Sequence, residues 1–154
     1  MILIIWLTIV KVGHVLGNET IGVIYPIPNW LVDGFLNGKK KVFCKFLVHD
    51  TTNLTLKNKV VFYASYGSKK LVGEGIIEGI EFLYPEEILA KYKEELFISE
   101  HQFTKYVSGR RKKKLLVLVL KNIVKYEDPI TYNRPITMAG KYFTSADYEF
   151  FNKK

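Results

Sequence analysis

The sequence predicts an α+β fold, a small mixed barrel with helices at its edge, and three observations carry that prediction. Between Lys57 and Phe82 two β-patterned runs, residues 60–65 and 71–82, are joined by a short turn containing Gly67, which is the pattern of a hairpin. Residues 115–120, Leu-Leu-Val-Leu-Val-Leu, are apolar on both faces, as in a central strand rather than an edge. Helix starts at Pro85 and Ser99 lie between them, so the order along the chain becomes β, short α, β, hairpin, α, α, β, α.

Taken in order, residues 21–24 read as a first strand, stopped by Pro26 and Pro28. Asn29 is placed to cap a short helix carrying Trp30, Leu31, Phe35 and Leu36 on one side, with Gly38 at its end. Residues 39–48 follow as a strand whose alternation puts Val42, Cys44, Phe46 and Val48 inward and Lys41, Phe43, Lys45 and Leu47 on the other face. In the hairpin Val60, Phe62 and Ala64 share one face, and Val61, Tyr63 and Ser65 the other. Gly73 and Gly75 mark a bulge or a close backbone approach within its second strand. Glu86 and Glu87 suit the first turn of the helix that Pro85 opens, and the helix capped by Ser99 ends at Gly109. The stretch 128–144 is rich in turn residues, and Thr144 or Ser145 caps a last helix carrying Tyr148, Phe150 and Phe151.

The chain of 154 residues is long enough to bury a core without disulfides or metal, and residues 19–154 read as one domain. Residues 1–18 form an apolar extension. Its run of residues 2–10 is too short to span a bilayer, which needs about 20, and it lacks the basic start and small-residue cleavage site of a signal peptide. Of an added strand, a membrane-proximal segment and an upstream extension from a misassigned start, the last is favoured, so a chain lacking residues 1–15 is expected to fold. No stable membrane insertion is expected, and a single cysteine, Cys44, favours a reducing, cytoplasmic setting and a buried inert thiol. No zinc spacing, P-loop or dinucleotide fingerprint occurs, so neither cofactor nor metal is expected.

Charge narrows the partners. The net charge is +8, and residues 102–126 hold eight basic residues and no acid, whereas residues 74–100 hold eight of the 15 acids. One side of the molecule is therefore expected to be basic and to meet an acidic partner such as nucleic acid, and the other to be acidic.

The stretch from Trp30 to Lys45, with its Gly38-Lys39-Lys40-Lys41 turn, followed by the strands at 60–65 and 71–77, resembles the helix, turn and strand core of PUA-like domains, in particular their ASCH branch. Residues 136–148, Ile-Thr-Met-Ala-Gly-Lys-Tyr-Phe-Thr-Ser-Ala-Asp-Tyr, further resemble an uncharacterised archaeal family of that superfamily. The resemblance implies a twisted, partly open β-barrel with peripheral helices, and an RNA or modified-nucleotide ligand in a cleft beside it. In such a cleft Lys39, Lys40, Lys41 and Lys45 would neutralise phosphates, while Trp30, Tyr63 and Tyr66 would offer faces for stacking. Ser65, Lys69 and Lys70 near the hairpin tip, with Arg110 and Arg111, would extend the track. A Trp in the place of Trp30 is more often a core anchor than a stacking platform, and Tyr63 also fits a cover for a barrel face.

A second class is an amidohydrolase acting on an acylated nucleoside, as some ASCH domains are. By resemblance its lysine falls on Lys40 and its carboxylate on Glu74 or Glu78, but Phe43 stands where the threonine belongs, so turnover of an acylated cytidine is not expected. A third class is a protein-interaction module using the acidic stretch 86–100. Because Lys40 and Lys41 radiate from one turn, whereas residues 110–114 alternate between faces, the first pair is expected to matter more for RNA than Lys112 with Lys113.

Overall fold

In the computed structural model, residues 19–37, 40–47, 52–65 and 68–152 are described. Strand β1 (Thr20–Ile27) leads through a 3-10 turn (Asn29–Leu31) into the one-turn helix α1 (Val32–Phe35) and then β2 (Val42–Lys45). The hairpin of β3 (Lys59–Ala64) and β4 (Lys70–Leu83) precedes α2 (Pro85–Tyr92), a second 3-10 turn (Lys93–Glu95) and α3 (Glu100–Val107). Strand β5 (Leu115–Thr131), β6 (Lys141–Thr144) and α4 (Ser145–Asn152) complete the order. The expected extension at residues 1–18 lies outside the described residues, as do Lys39 and Tyr66.

The six strands form one mixed sheet in the order β2-β5-β4-β3-β1-β6, with β1 parallel to β3 and the other pairs antiparallel. The α+β class stands, and the sheet does not close into a barrel. It nevertheless curls strongly: Tyr25 of β1 and Phe43 of β2 belong to strands with three others between them, yet their rings stack with centroids 5.7 Å apart. Register shifts in the β3–β4 and β4–β5 pairs supply the bends that this requires. One of them lies at Gly73, where a Cβ would sit 2.6 Å from the Val124 carbonyl oxygen and 2.7 Å from Leu36 Cδ1, so glycine is needed for the close approach.

Apolar clusters cover both faces of the sheet. Inside the curl, Phe35 of α1 packs with Phe43, Phe62 and Phe97 around Val60, Leu116, Leu118 and Leu120. On the other face Val42, Cys44, Leu115 and Val117 meet Ile88 of α2 and Phe103 and Val107 of α3. A third cluster, with Val61, Tyr63 and Phe143, is covered by Phe151 of α4. Alternate residues of β5 thus enter two different cores, which is why its first six positions are apolar. Full burial of one such Leu or Phe contributes roughly 1.5–3 kcal/mol.

This layering corrects three expectations. Strand β2 is buried on both faces, Phe43 and Lys45 included, because the curl folds β1 over one side while α2 and α3 cover the other. Strand β1 runs through Pro26. The Ile27 carbonyl accepts from Ser65 N, so the Pro26 ring nitrogen and carbonyl lie towards the opposite edge, where pairing with β6 has stopped at Ile24 and no N–H is required. Strand β5 continues to Thr131, and Pro129 sits in the register shift between Lys125 and Ile130.

The local start signals act as expected at α2, α3 and α4. Pro85 is the first residue of α2, Ser99 and Gln102 cap α3 reciprocally, and Thr144 accepts from Asp147 N at 3.3 Å to open α4. Asn29 makes no such cap, since Pro28 is the N-cap of its 3-10 turn. The outer edge of β2 is covered by the segment after α2, with Lys41 N donating to the Glu95 carbonyl and Phe97 N to that of Val42. No helix among the described residues is long and apolar enough to cross a membrane.

Candidate functional site

The seam between β1 and β2, where the sheet curls without closing, opens into a cleft of about 710 Å³. Each wall follows from a strand end. Pro28 turns the chain out of β1 into the 3-10 turn, which leaves Trp30 63% exposed at the rim while Leu31 and Phe35 enter the core. Strand β2 delivers Lys45, with Phe46 just beyond it. Helix α3 buries Phe103 and Val107, and so presents Lys105 and Tyr106 to the cleft, with Arg110 after the helix. Gly109, at φ +80°, makes the left-handed turn that ends α3 and brings Arg110 round.

Three of these groups form a stack. The Phe46 and Tyr106 rings lie 5.5 Å apart at 28°, and the Arg110 guanidinium sits 4.1 Å from the Phe46 centroid and 5.3 Å from that of Tyr106. Arg110 Nη2 donates to the Tyr106 carbonyl at 2.8 Å, and Phe46 N donates to the Tyr106 hydroxyl at 3.4 Å. Burial raises the Tyr106 pKa above its ordinary value, so this hydroxyl stays protonated. The guanidinium is oriented before any ligand arrives, and most of its donors stay open to one.

Lys45 is the second cation of the cleft and is only 8% exposed. Its ammonium lies 4.2 Å from the Tyr25 ring centroid and donates to the Met138 carbonyl. No carboxylate among the described residues pairs with it, and burial draws its pKa down to about 8. At neutral pH it still carries charge. With Lys105 on α3, the lining holds three cations and neither Asp nor Glu among the described residues. An anion with a flat ring therefore finds both an attractive field and stacking surface there.

Of the residues expected to bind, the structure brings together Trp30, Lys45 and Arg110. Ser65 stands behind the wall, its hydroxyl donating to the Ile27 carbonyl at 3.3 Å. Arg111 lies in the exposed turn beside Arg110. Lys40 donates to the Glu94 carbonyl at 2.8 Å and Lys41 lies 3.9 Å from the Glu95 carboxylate, so both sit beside the acidic 3-10 turn and outside the cleft lining. Tyr63 is 8% exposed, in the cluster under α4; Lys70 opens β4 across from Thr131, and Lys69 stands just before it, its N donating to the Ala64 carbonyl.

The residues of the enzyme alternative have separate surroundings. Glu74 accepts from Lys59 at 2.8 Å, Tyr126 at 2.9 Å and Tyr148 at 2.8 Å. Burial alone would raise its pKa, but those donors outweigh it and hold the carboxyl below the usual range. Lys40 shares none of these partners, Glu78 is exposed on β4, and Phe43 is buried in the aromatic core.

Phe46, Lys105 and Tyr106 are cleft residues that the sequence reading missed. The Tyr106 to Arg110 spacing of four, which places a ring and a cation on one side of a helix end, was the signal that could have found two of the cleft groups together. Among the described residues there is no group of three or more His, Cys, Asp or Glu able to hold a metal ion.

Comparison with known proteins bears on the fold. The model of the family described as domain of unknown function DUF365 matches residues 20–145. An uncharacterised protein of Methanocaldococcus jannaschii is 41% identical over an alignment of 106 residues that covers 62% of this chain and 98% of that protein. Among solved structures, ASCH from Zymomonas mobilis aligns with a TM-score of 0.72 at 18% identity, covering 84% of this chain and 92% of its own. The N-terminal domain of Staphylothermus marinus McrB aligns with a TM-score of 0.54 at 16% identity, over 88% of this chain and 94% of its own. These likenesses show an ASCH-like fold, as the resemblance carried by the Gly-Lys-Lys stretch and the hairpin implied.

Proposed function

The chain belongs to the DUF365 family, and on that premise we propose that it is an RNA-binding or nucleotide-binding domain whose ligand occupies the cleft at the β1–β2 seam. One observation carries this reading: Lys45, Lys105 and Arg110 share one space with the rings of Trp30, Phe46 and Tyr106, and no carboxylate among the described residues lines it. In this reading a base stacks on Trp30 at the rim, which contributes roughly 1–3 kcal/mol. A phosphate meets Arg110, whose planar fork suits paired hydrogen bonds to its oxygens. Lys45 supplies charge from the wall, where low polarity strengthens its field. The PUA-like resemblance favours RNA among the anionic ligands of this size.

The test is fluorescence anisotropy with a labelled mixed-sequence RNA, at several salt concentrations. Trp30→Ala is expected to weaken binding by roughly 5- to 150-fold, the equivalent of one stacked base. Arg110→Ala is expected to weaken it and to flatten the salt dependence by about 0.7 in slope for each phosphate that is no longer neutralised. Wild-type affinity in both variants, with unchanged slopes, would remove the cleft from the account.

A further inference from the structure

Arg110 belongs to two surfaces at once. It forms part of the cleft wall, and it also lines a shallow concavity with Gly109, Arg111, Lys112 and Lys113, whose side chains are all cationic apart from the glycine. That turn is fixed by its own backbone, with Arg110 N donating to the Val107 carbonyl at 2.9 Å and Lys113 N to that of Arg110 at 3.1 Å. Its side chains do not act together. Lys113 Nζ is 5.9 Å from the Phe46 centroid, on the cleft side, whereas Lys114 Nζ is 5.2 Å from the Tyr84 ring at the start of α2. A continuous basic path thus runs from Lys45 through Arg110 to Lys113, and Lys114 leaves it.

A mononucleotide has no use for such a path. Its one phosphate group is satisfied within reach of Arg110, and the cations at 111–113 would then serve nothing. A strand carries further phosphates, and those next to a base held in the cleft must pass over the turn. The base itself has to be unpaired, because its face and edge enter a walled space that a duplex cannot enter. Resting on the reading of the cleft given above, we propose that the ligand is an unpaired RNA segment, with one base in the cleft and the adjoining backbone laid across the turn from Arg110 to Lys113.

The experiment compares three probes on the full chain: a labelled mixed-sequence single strand of about ten nucleotides, the duplex of the same sequence, and the four ribonucleoside 5′-monophosphates as competitors. The single strand is expected to bind at least about tenfold more tightly than either, because it alone adds phosphates along the turn. Lys113→Ala should reduce the strand's salt slope by about 0.7 while leaving the competition by monophosphates unchanged, and Lys114→Ala should alter neither. Both lysines are exposed, so these variants test binding and not folding. Equal affinity for strand and monophosphate, a duplex bound as tightly as the strand, or a Lys113→Ala variant identical to wild type would each overturn the proposal while leaving a nucleotide cleft in place. Absence of binding to all three probes would overturn the cleft reading itself.

Discussion

Lys45 is kept at a cost to stability. A charge that is 8% exposed and has no carboxylate partner among the described residues is disfavoured by desolvation, and its pKa of about 8 in the fold lies below the ordinary 10.5. The unfolded chain therefore binds more protons than the folded one between those values, so stability rises with pH across that window. Below pH 8 the full cost is present. Lys45→Met is accordingly expected to raise the melting temperature at pH 7 while weakening RNA binding, the pattern of a residue retained for a ligand. A variant that is less stable and binds normally would assign Lys45 to the core. Glu74 has the opposite sign: its lowered pKa means that its contribution is present above the unfolded value and disappears as pH falls through the folded one. Glu74→Gln should destabilise by about 1–3 kcal/mol, flatten the acid limb of stability and leave RNA affinity unchanged.

At the scale of elements, α3 joins core and cleft. Its Phe103 is fully buried, and Phe103→Ala should cost about 3–5 kcal/mol in denaturant unfolding. On the cleft reading proposed above, the ranking of the basic clusters is expected to be the opposite of the one that the turn at 39–41 suggested. Lys40 and Lys41 lie against the carbonyl of Glu94 and the carboxylate of Glu95, while Lys113 flanks Phe46. Lys112→Ala with Lys113→Ala should therefore weaken RNA binding more than Lys40→Ala with Lys41→Ala, measured at equal salt. Elements whose signals are local were legible beforehand: the alternation of β3, the proline that opens α2, the Ser99 cap and the two-faced apolar run of β5. Strand β6 was not, because its four residues acquire a strand conformation only by pairing with β1. Nor was the course of β1 through Pro26, which depends on where its neighbour stops.

At the scale of the whole molecule, the curl of the sheet decides where function can sit. Residues 30, 45, 106 and 138 are distant in sequence, and the curl that stacks Tyr25 on Phe43 across the seam helps to bring their segments around one cleft. That Trp30, Lys45 and Arg110 lie around one cleft was legible from the resemblance, which implied basic residues and flat rings beside the sheet. Phe46 and Tyr106 were not, since their packing joins the end of β2 to α3 across the edge of the sheet. The measurement that tests the cleft most directly is ultraviolet crosslinking of the intact protein to RNA, with the modified residues located by mass spectrometry. Crosslinks at Trp30, Phe46 or Tyr106 are expected, and they should vanish on competition with unlabelled single strand. Crosslinks confined to residues outside the cleft, such as Tyr84 or Tyr92 beside the acidic helix α2, would contradict the account.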